Sequence, residues 1–530
     1  MNRGDASSPA ADEAAAGWRP SANPWLIAVS VMLATFMEVL DTSVANVALP
    51  HIAGSLSATP EEATWVLTSY LVSNAIVLPA AAWLGAVFGR KRFLLACIAL
   101  FTLASAACGA APSLGLLVVA RVLQGMGGGA LQPIAQAVLL ESFPPARRGV
   151  AMAAYGMGVV VAPILGPTLG GWVTDSYSWR WVFYINLPVG AVAVLMAQTF
   201  IEDPPYLRRG RPGRIDYIGF GLMAIGLATL QVTLDRGQED DWFAAAWVCW
   251  FVAISSVSLV AFIVRELRTE DPIVDLRILR NRNFAVGTVL IAVLGMVLYS
   301  TIAMLPLFLQ ILMGYTALLS GLAITPRGVG ALLTNALVGR LIGFVDSRVM
   351  IAAGFCLLAA SGFMFSHMNL QIAISNVVWA NFLNGIGTAM IFVALATTTM
   401  GTLRNEQMGN ATGIFNLMRN IGGSMGIAAV TTFLARWAQV HQAALVSHLT
   451  PYDPAYREWL SAARAGLAGR VGEAAAGPKA LGVLSNTLRL QAQLLAFMDN
   501  FQLIAVLCVL GIPLALLFRR VAARPPVAGH

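Results

Sequence analysis

Two carboxylates stand three residues apart in an otherwise apolar run, Phe36-Met37-Glu38-Val39-Leu40-Asp41-Thr42-Ser43. On a helix, Glu38 and Asp41 fall on neighbouring parts of one face, with Asn46 further along. Two acids that close cannot both ionise cheaply in a low-dielectric setting, so one is expected to take up a proton near physiological pH. A guanidinium, Arg121, lies in a second apolar run, followed by Gln124, Gly125, Gly127, Gly128 and Gly129. Asp41 is about eight residues from the C-terminal end of its run and Arg121 about seven from the N-terminal end of its own, which in spans of opposite direction is the same, outer face. At ~1.5 Å per residue both sit ~10–12 Å deep and can meet at one level. The cation would favour ionised Asp41, and protonation would weaken the attraction, which ties proton binding to helix packing. Acids that merely hold helices together, or a permanent ion pair, are the plainer alternatives.

A Gly- and Pro-rich run, Gly156 to Gly171, includes Gly158, Pro163, Gly166, Pro167 and Gly170. Small residues let two backbones approach closely, and each proline removes a donor and favours a bend, as suits a helix that rocks against a partner. Tight static packing would use the same glycines. Arg327 and Arg419 are two more cations inside apolar runs, with partners the sequence does not disclose. Tyr70, Asn74, Gln136, Asn335 and Asn416 are polar or aromatic positions within such runs, hence substrate-pocket candidates, with ordinary helix-helix bonding as the alternative.

Other chemistries lack their residues. There is no Gly-x-x-x-x-Gly-Lys-Ser/Thr loop for nucleotide, no Gly-x-Ser-x-Gly turn and no metal-type His/Cys cluster. The five histidines are scattered and the five cysteines lie in apolar runs, arguing against a metal site, a disulfide framework and an enzyme. No cofactor is expected beyond protons as coupling ion.

The elements that position these residues follow from composition. A chain of 530 residues that is 58% hydrophobic and 11% charged cannot hide that surface in a water-soluble core, since soluble domains carry about 25% charged residues. Lipid is the missing solvent. Apolar stretches long enough to span it fall near 25–49, 63–87, 93–111, 114–140, 149–172 and 183–201, then 215–233 and 243–264, then 284–311, 317–343, 348–368, 374–400, 409–435 and 499–520. The reading is an all-α membrane protein of about fourteen spans arranged six, two, six. Its parts are a tail (1–24), a first bundle (25–201), two inserted spans with linkers (202–283), a second bundle (284–520) and a tail (521–530). Within the second bundle, 436–498 reads as a long outer segment with a turn at Tyr452–Pro454 and a partly amphipathic helix from Tyr456 to Val471, a linker or a docking surface.

The net charge of +7 does not signal nucleic acid, because the basic residues cluster between alternate spans. Arg90, Lys91 and Arg92, then Arg147 and Arg148, Arg208, Arg209, Arg211 and Arg214, Arg265 to Arg282, and Arg519, Arg520 and Arg524 mark one side. By the positive-inside rule that side is cytoplasmic, with both termini. The Ala-rich start carries Asp5, Asp12 and Glu13 rather than a cleavable signal, so the first span is expected to stay.

These runs resemble the fourteen-span drug:proton antiporter branch of the major facilitator superfamily, in particular its EmrB-type members. Leu40-Asp41-Thr42 through Asn46-Val47-Ala48-Leu49-Pro50 resembles the first-span signature, Arg121-x-x-Gln-Gly-x-Gly resembles motif B, and Gly158 to Gly171 resembles motif C, the mark of exporters. Trp179 through Pro188 and Leu234-Asp235-Arg236-Gly237 look like further signatures of the branch. Motif A departs: Ala86 stands where its acid is expected, while Gly89, Arg90 and Arg92 remain to hold an inner gate through other partners. The resemblance implies proton coupling at Asp41, export of hydrophobic compounds through the inner membrane, and a periplasmic adaptor with an outer-membrane channel. A proton-independent facilitator or a non-transporting sensor of the same fold is the competing function.

Overall fold

The computed structural model describes residues 20–144, 147–203, 216–341 and 344–519, so Arg208, Arg209, Arg211, Arg214, Arg520 and Arg524 lie outside the described residues. No strand occurs among them. The first six long helices are α1 (Pro24–Ser55), α2 (Trp65–Phe88), α3 (Arg90–Ala110), α4 (Leu114–Ser142, interrupted at Gly129–Ala130), α5 (Arg148–Ser176) and α6 (Trp181–Phe200). An inserted pair follows, α7 (Tyr217–Arg236) and α8 (Ala246–Arg268). Then come α9 (Arg282–Leu312), α10 (Ala317–Leu341), α11 (Ser347–Phe365), α12 (Ile374–Met400) and α13 (Met408–Ser447), and finally α14 (Pro454–Val471) and α15 (Glu473–Leu516).

Local chemistry sets several starts. Asn23, Ser113, Asp216, Asn281, Asp346 and Asp453 each accept a bond from a backbone N–H of the first turn of α1, α4, α7, α9, α11 and α14. Gly89 turns the chain from α2 into α3 at φ +84, a left-handed conformation that suits glycine. Its neighbour Lys91 donates its backbone N–H to Asp203 at 2.7 Å.

Twelve of these helices are long and apolar enough to cross a membrane. The two other long helices of the bundle, α10 with Arg327 and α13 with Arg419, have 25 and 40 residues, and adding them to the twelve gives fourteen. The spans read from sequence match the helices closely, except at 436–498. There the helix expected from Tyr456 to Val471 is α14, which packs on α15, while α13 continues to Ser447 and α15 starts at Glu473, both running further than the apolar spans. Hydropathy marks where lipid ends, not where backbone hydrogen bonding ends.

The helices form two bundles with repeated packing. In the first, α1 packs on α5, α2 and α3 on α4, and α6 on α3 and α1. In the second, α9 packs on α13, α10 and α11 on α12, and α15 on α11 and α9. The bundles meet where α5 touches α10 and α12, and where α2 and α4 touch α13. The inserted α7 and α8 pack on each other, with α7 against α2 and α13.

Candidate functional site: buried charges between and within the bundles

Asp41 and Arg121 meet in the first bundle with both side chains fully buried, Arg121 Nη1 lying 2.6 Å from Asp41 Oδ2. The other carboxylate oxygen accepts from Gln124 Nε2 at 2.9 Å and from Asn186 Nδ2 at 2.7 Å. Arg121 also donates to Gln124 Oε1 at 2.7 Å and to the Val66 carbonyl at 2.9 Å. Its guanidinium lies 4.3 Å from the centroid of the Tyr70 ring, a cation–π contact strengthened by the lack of water. Asn186 is anchored in turn through Ser105 to the Phe183 carbonyl. Charge-assisted bonds from two helices, α4 and α6, thus converge on one buried carboxylate of α1. Neutralising Asp41 would leave Arg121 buried without its counter-charge, at a cost of ~3–5 kcal/mol.

The glycines around this site explain how the helices come so close. A Cβ on Gly125 would lie 2.0 Å from Ser73 Oγ and 2.4 Å from the Tyr70 carbonyl. On the other flank α5 grips α1 beside Asp41: a Cβ on Gly166 would meet Ser43 Oγ at 2.1 Å, and one on Gly170 would meet Val44 Cγ1 at 2.8 Å. Ser43 donates to the Pro163 carbonyl at 3.4 Å. Gly158 faces Met32 of α1, and Pro167 lies in α5 with its side chain outside the described set.

Glu38 is buried one turn away, accepting from Asn74 Nδ2 at 3.2 Å. Its other oxygen, Oε2, has no hydrogen-bond partner within ordinary bonding geometry among the described residues. Asn46 is exposed. Tyr70 and Asn74, read as pocket candidates, therefore sit within the network of the two acids. Gln136 and Asn416 bond each other across the bundles, Asn416 Nδ2 donating to Gln136 Oε1 at 2.8 Å. Arg419 of α13 donates to Gln132 of α4. Asn335 and Arg327 are buried, and both amide atoms of Asn335 and Nη2 of Arg327 have no hydrogen-bond partner among the described residues.

At the end of the bundle where α1 begins, Arg90 pairs with the buried Glu141 of α4. Ala86, Ala82, Gly85, Arg90, Pro133 and Gly409 help line a small crevice beside that pair. Arg92 is exposed. Contacts between the bundles gather at this same end. A Cβ on Gly409 would lie 3.3 Å from Ala82 Cβ, and one on Gly339 would lie 3.0 Å from Ala153 Cβ. Thr412 donates to the Pro133 carbonyl at 2.9 Å, and Arg148 to Asn405 at 2.9 Å.

Gln124 and Asn186 fall in runs quoted for the family resemblance but were not assigned as donors to Asp41, while Glu141 as partner of Arg90 and Gln132 as partner of Arg419 were not singled out; their one advance signal is a polar side chain inside an apolar run.

Residues 31–427 match the family model described as Major Facilitator Superfamily. The fatty acid resistance protein FarB of Neisseria gonorrhoeae is 37% identical over 94% of this chain and 96% of its own length. The multidrug export protein EmrB of Escherichia coli (strain K12) is 36% identical over 81% of this chain and 84% of its own. The crystal structure of the human organic anion transporter MFSD10 superposes with a TM-score of 0.58 at 13% identity, covering 92% of this chain and 99% of that one, a likeness of fold. With its two helical bundles, its inserted pair and these relatives, the chain belongs to the Major Facilitator Superfamily and is an EmrB-like, multi-pass membrane protein.

Proposed function

We propose that this protein is a proton-coupled antiporter that exports hydrophobic or amphiphilic compounds across a bacterial inner membrane. The observation that carries the reading is the dry Asp41–Arg121 pair with its donors Gln124 and Asn186. Protonation of Asp41 removes the charge that offsets Arg121, so it favours a different packing of α1 against α4 and α6. The α5 helix grips α1 beside Asp41 and touches α10 and α12 of the other bundle, which gives that change a route to the seam. The export and resistance proteins among the relatives, FarB and EmrB, support the direction and the hydrophobic cargo.

With both termini cytoplasmic, as the basic clusters favour, the bundle contacts named above close the cytoplasmic end. That arrangement is outward-facing: Asp41 takes a proton from outside, and the inward-facing state releases it and loads substrate. Glu38 is a second candidate proton carrier. The long extensions of α13 and α15 with α14 face the periplasm in this orientation and offer a surface to a periplasmic adaptor leading to an outer-membrane channel.

The test is efflux of a fluorescent lipophilic substrate from proteoliposomes under an imposed pH gradient, comparing the native chain with Asp41→Asn at matched protein content. Gradient-driven efflux that the substitution abolishes is the expected result. Equal transport by the Asn variant would sink proton coupling at Asp41, and gradient-independent downhill flux in both directions would make the protein a facilitator.

A further inference from the structure

The run Leu234-Asp235-Arg236-Gly237 closes α7 beside the start of α2, at the end of the molecule away from the start of α1, and takes no part in the buried-charge site. Its polar side chains reach two ways. Toward the first bundle, Arg236 Nη1 donates to Thr64 Oγ1 at 2.6 Å, and the guanidinium lies 5.1 Å from the centroid of the Trp65 ring, where α2 begins. Glu239 pairs with the same guanidinium at 3.1 Å. Toward the second bundle, Asp235 accepts from Gln231 Nε2 at 3.0 Å, and the Gln231 amide exchanges bonds with Ser424 of α13 at 2.8 and 3.2 Å. Just past the motif, Trp242 Nε1 donates to Thr432 Oγ1, also of α13, at 2.9 Å.

The turn is shaped for this reach. A Cβ on Gly237 would lie 2.8 Å from Trp242 Cε3, so glycine lets the indole fold over the turn, and the Trp242 N–H donates to the Gly237 carbonyl at 2.7 Å. Asp241 and Trp242 hold left-handed backbone at φ 55 and 56, uncommon for such side chains and kept only where the surroundings dictate it.

The direct hydrogen bonds between the bundles described above reach no further along α13 than Arg419. Beyond it, Ser424 and Thr432 bond to the inserted pair, and the pair bonds to Thr64. One bundle is thus held by a guanidinium and the other by an amide and an indole, all three on one short stretch of chain. Any rocking that changes the spacing of α2 and α13 at this end has to break one set of bonds or the other. We infer that the inserted pair is a clasp across the seam, and that Arg236, Gln231 and Trp242 are positioning residues that hold the two bundles in the arrangement seen here. It rests on the export reading for one premise, that the bundles rock.

Spin labels on Pro112→Cys and Gln371→Cys, exposed positions at this end of the two bundles, would report their separation in proteoliposomes, in a background freed of the native cysteines. Losing a bond from a charged group predicts that Arg236→Gln lowers the ratio of the native separation to any other about tenfold. Arg236→Lys keeps a cation for Trp65 and Glu239 and should recover part of the native ratio. Trp242→Phe removes only the indole N–H and should shift the ratio the same way by a few-fold. A side chain that merely stabilises the fold would lower the unfolding temperature and leave the separation as it is. Native separations in a monodisperse Arg236→Gln protein, or in Trp242→Phe should Arg236→Gln not fold, would overturn the clasp. If the variants shift the separation while the native chain shows no gradient-driven efflux, the export reading fails and the clasp stands.

Discussion

Asn186 and Gln124 donate to the same oxygen of Asp41, so each is expected to matter to transport without carrying a proton itself. A bond to a charged group is worth ~1.5–3 kcal/mol, and Asn186→Leu should slow gradient-driven efflux about tenfold or more, measured as the initial rate in proteoliposomes. An unchanged rate would mean that Asn186 merely packs. The Arg90–Glu141 pair bears on the altered motif A. Glu141→Gln should cost roughly 3 kcal/mol by leaving a buried cation short of charge. Adding Ala86→Asp, an acid beside the crevice that Arg90 lines, should restore much of the loss in thermal unfolding. Failure of that rescue would show that position 86 no longer communicates with Arg90. The two acids, Arg121 and the departure at Ala86 were legible as residue types. Their partners were not, because which polar groups meet depends on helix rotation, and an almost uniformly apolar helix gives rotation little signature.

Between elements, close approach sets the cost of change. A side chain on Gly166 would collide with Ser43 of α1, so Gly166→Val should either unfold the protein at lower temperature or separate α5 from α1 and stop transport while binding persists. Retained wild-type flux would argue against α5 as the link to the seam. The inserted pair is tied by Arg265 to Asp216, with bonds of 2.7 to 3.0 Å. Hydrogen bonds from Arg265 hold the Asp216 carboxyl below its usual range. A depressed carboxylate contributes stability above its unfolded value near 4 and loses it as pH falls through the folded value. The α7–α8 tie should therefore be unchanged between pH 5 and 8 and loosen only in stronger acid, as hydrogen exchange at Gly219 would report. Helix positions were readable because a membrane demands about twenty apolar residues. The outer helices were harder: beyond the lipid, α13 and α15 run on with ordinary polar residues, and nothing in hydropathy separates a continuing helix from a loop.

For the whole molecule, Ala82–Gly409 and Ala153–Gly339 are contacts between the bundles at the end where α1 begins, so opening that end must part Ala82 from Gly409. Their spacing falls near that required by a disulfide. Ala82→Cys with Gly409→Cys in a background freed of the five native cysteines should cross-link on oxidation. Efflux should stop and return on reduction. Continued transport by the fully oxidised protein would exclude rocking about this seam. The paired-bundle plan was legible from the six-two-six spacing, whereas the end at which the bundles touch was not, since one sequence is compatible with more than one packing of two bundles.

The lengths of α13 and α15, 40 and 44 residues, amount to roughly 60 Å or more of rod against a hydrocarbon layer of ~30 Å. Both belong to the second bundle, and α14 is strapped to α15. Any tilt of that bundle would thus swing a rigid mast outside the membrane, its tip sweeping an arc in proportion to its reach. A bundle that tilts would signal its motion at a distance, and anything resting on the mast would feel each tilt as a push.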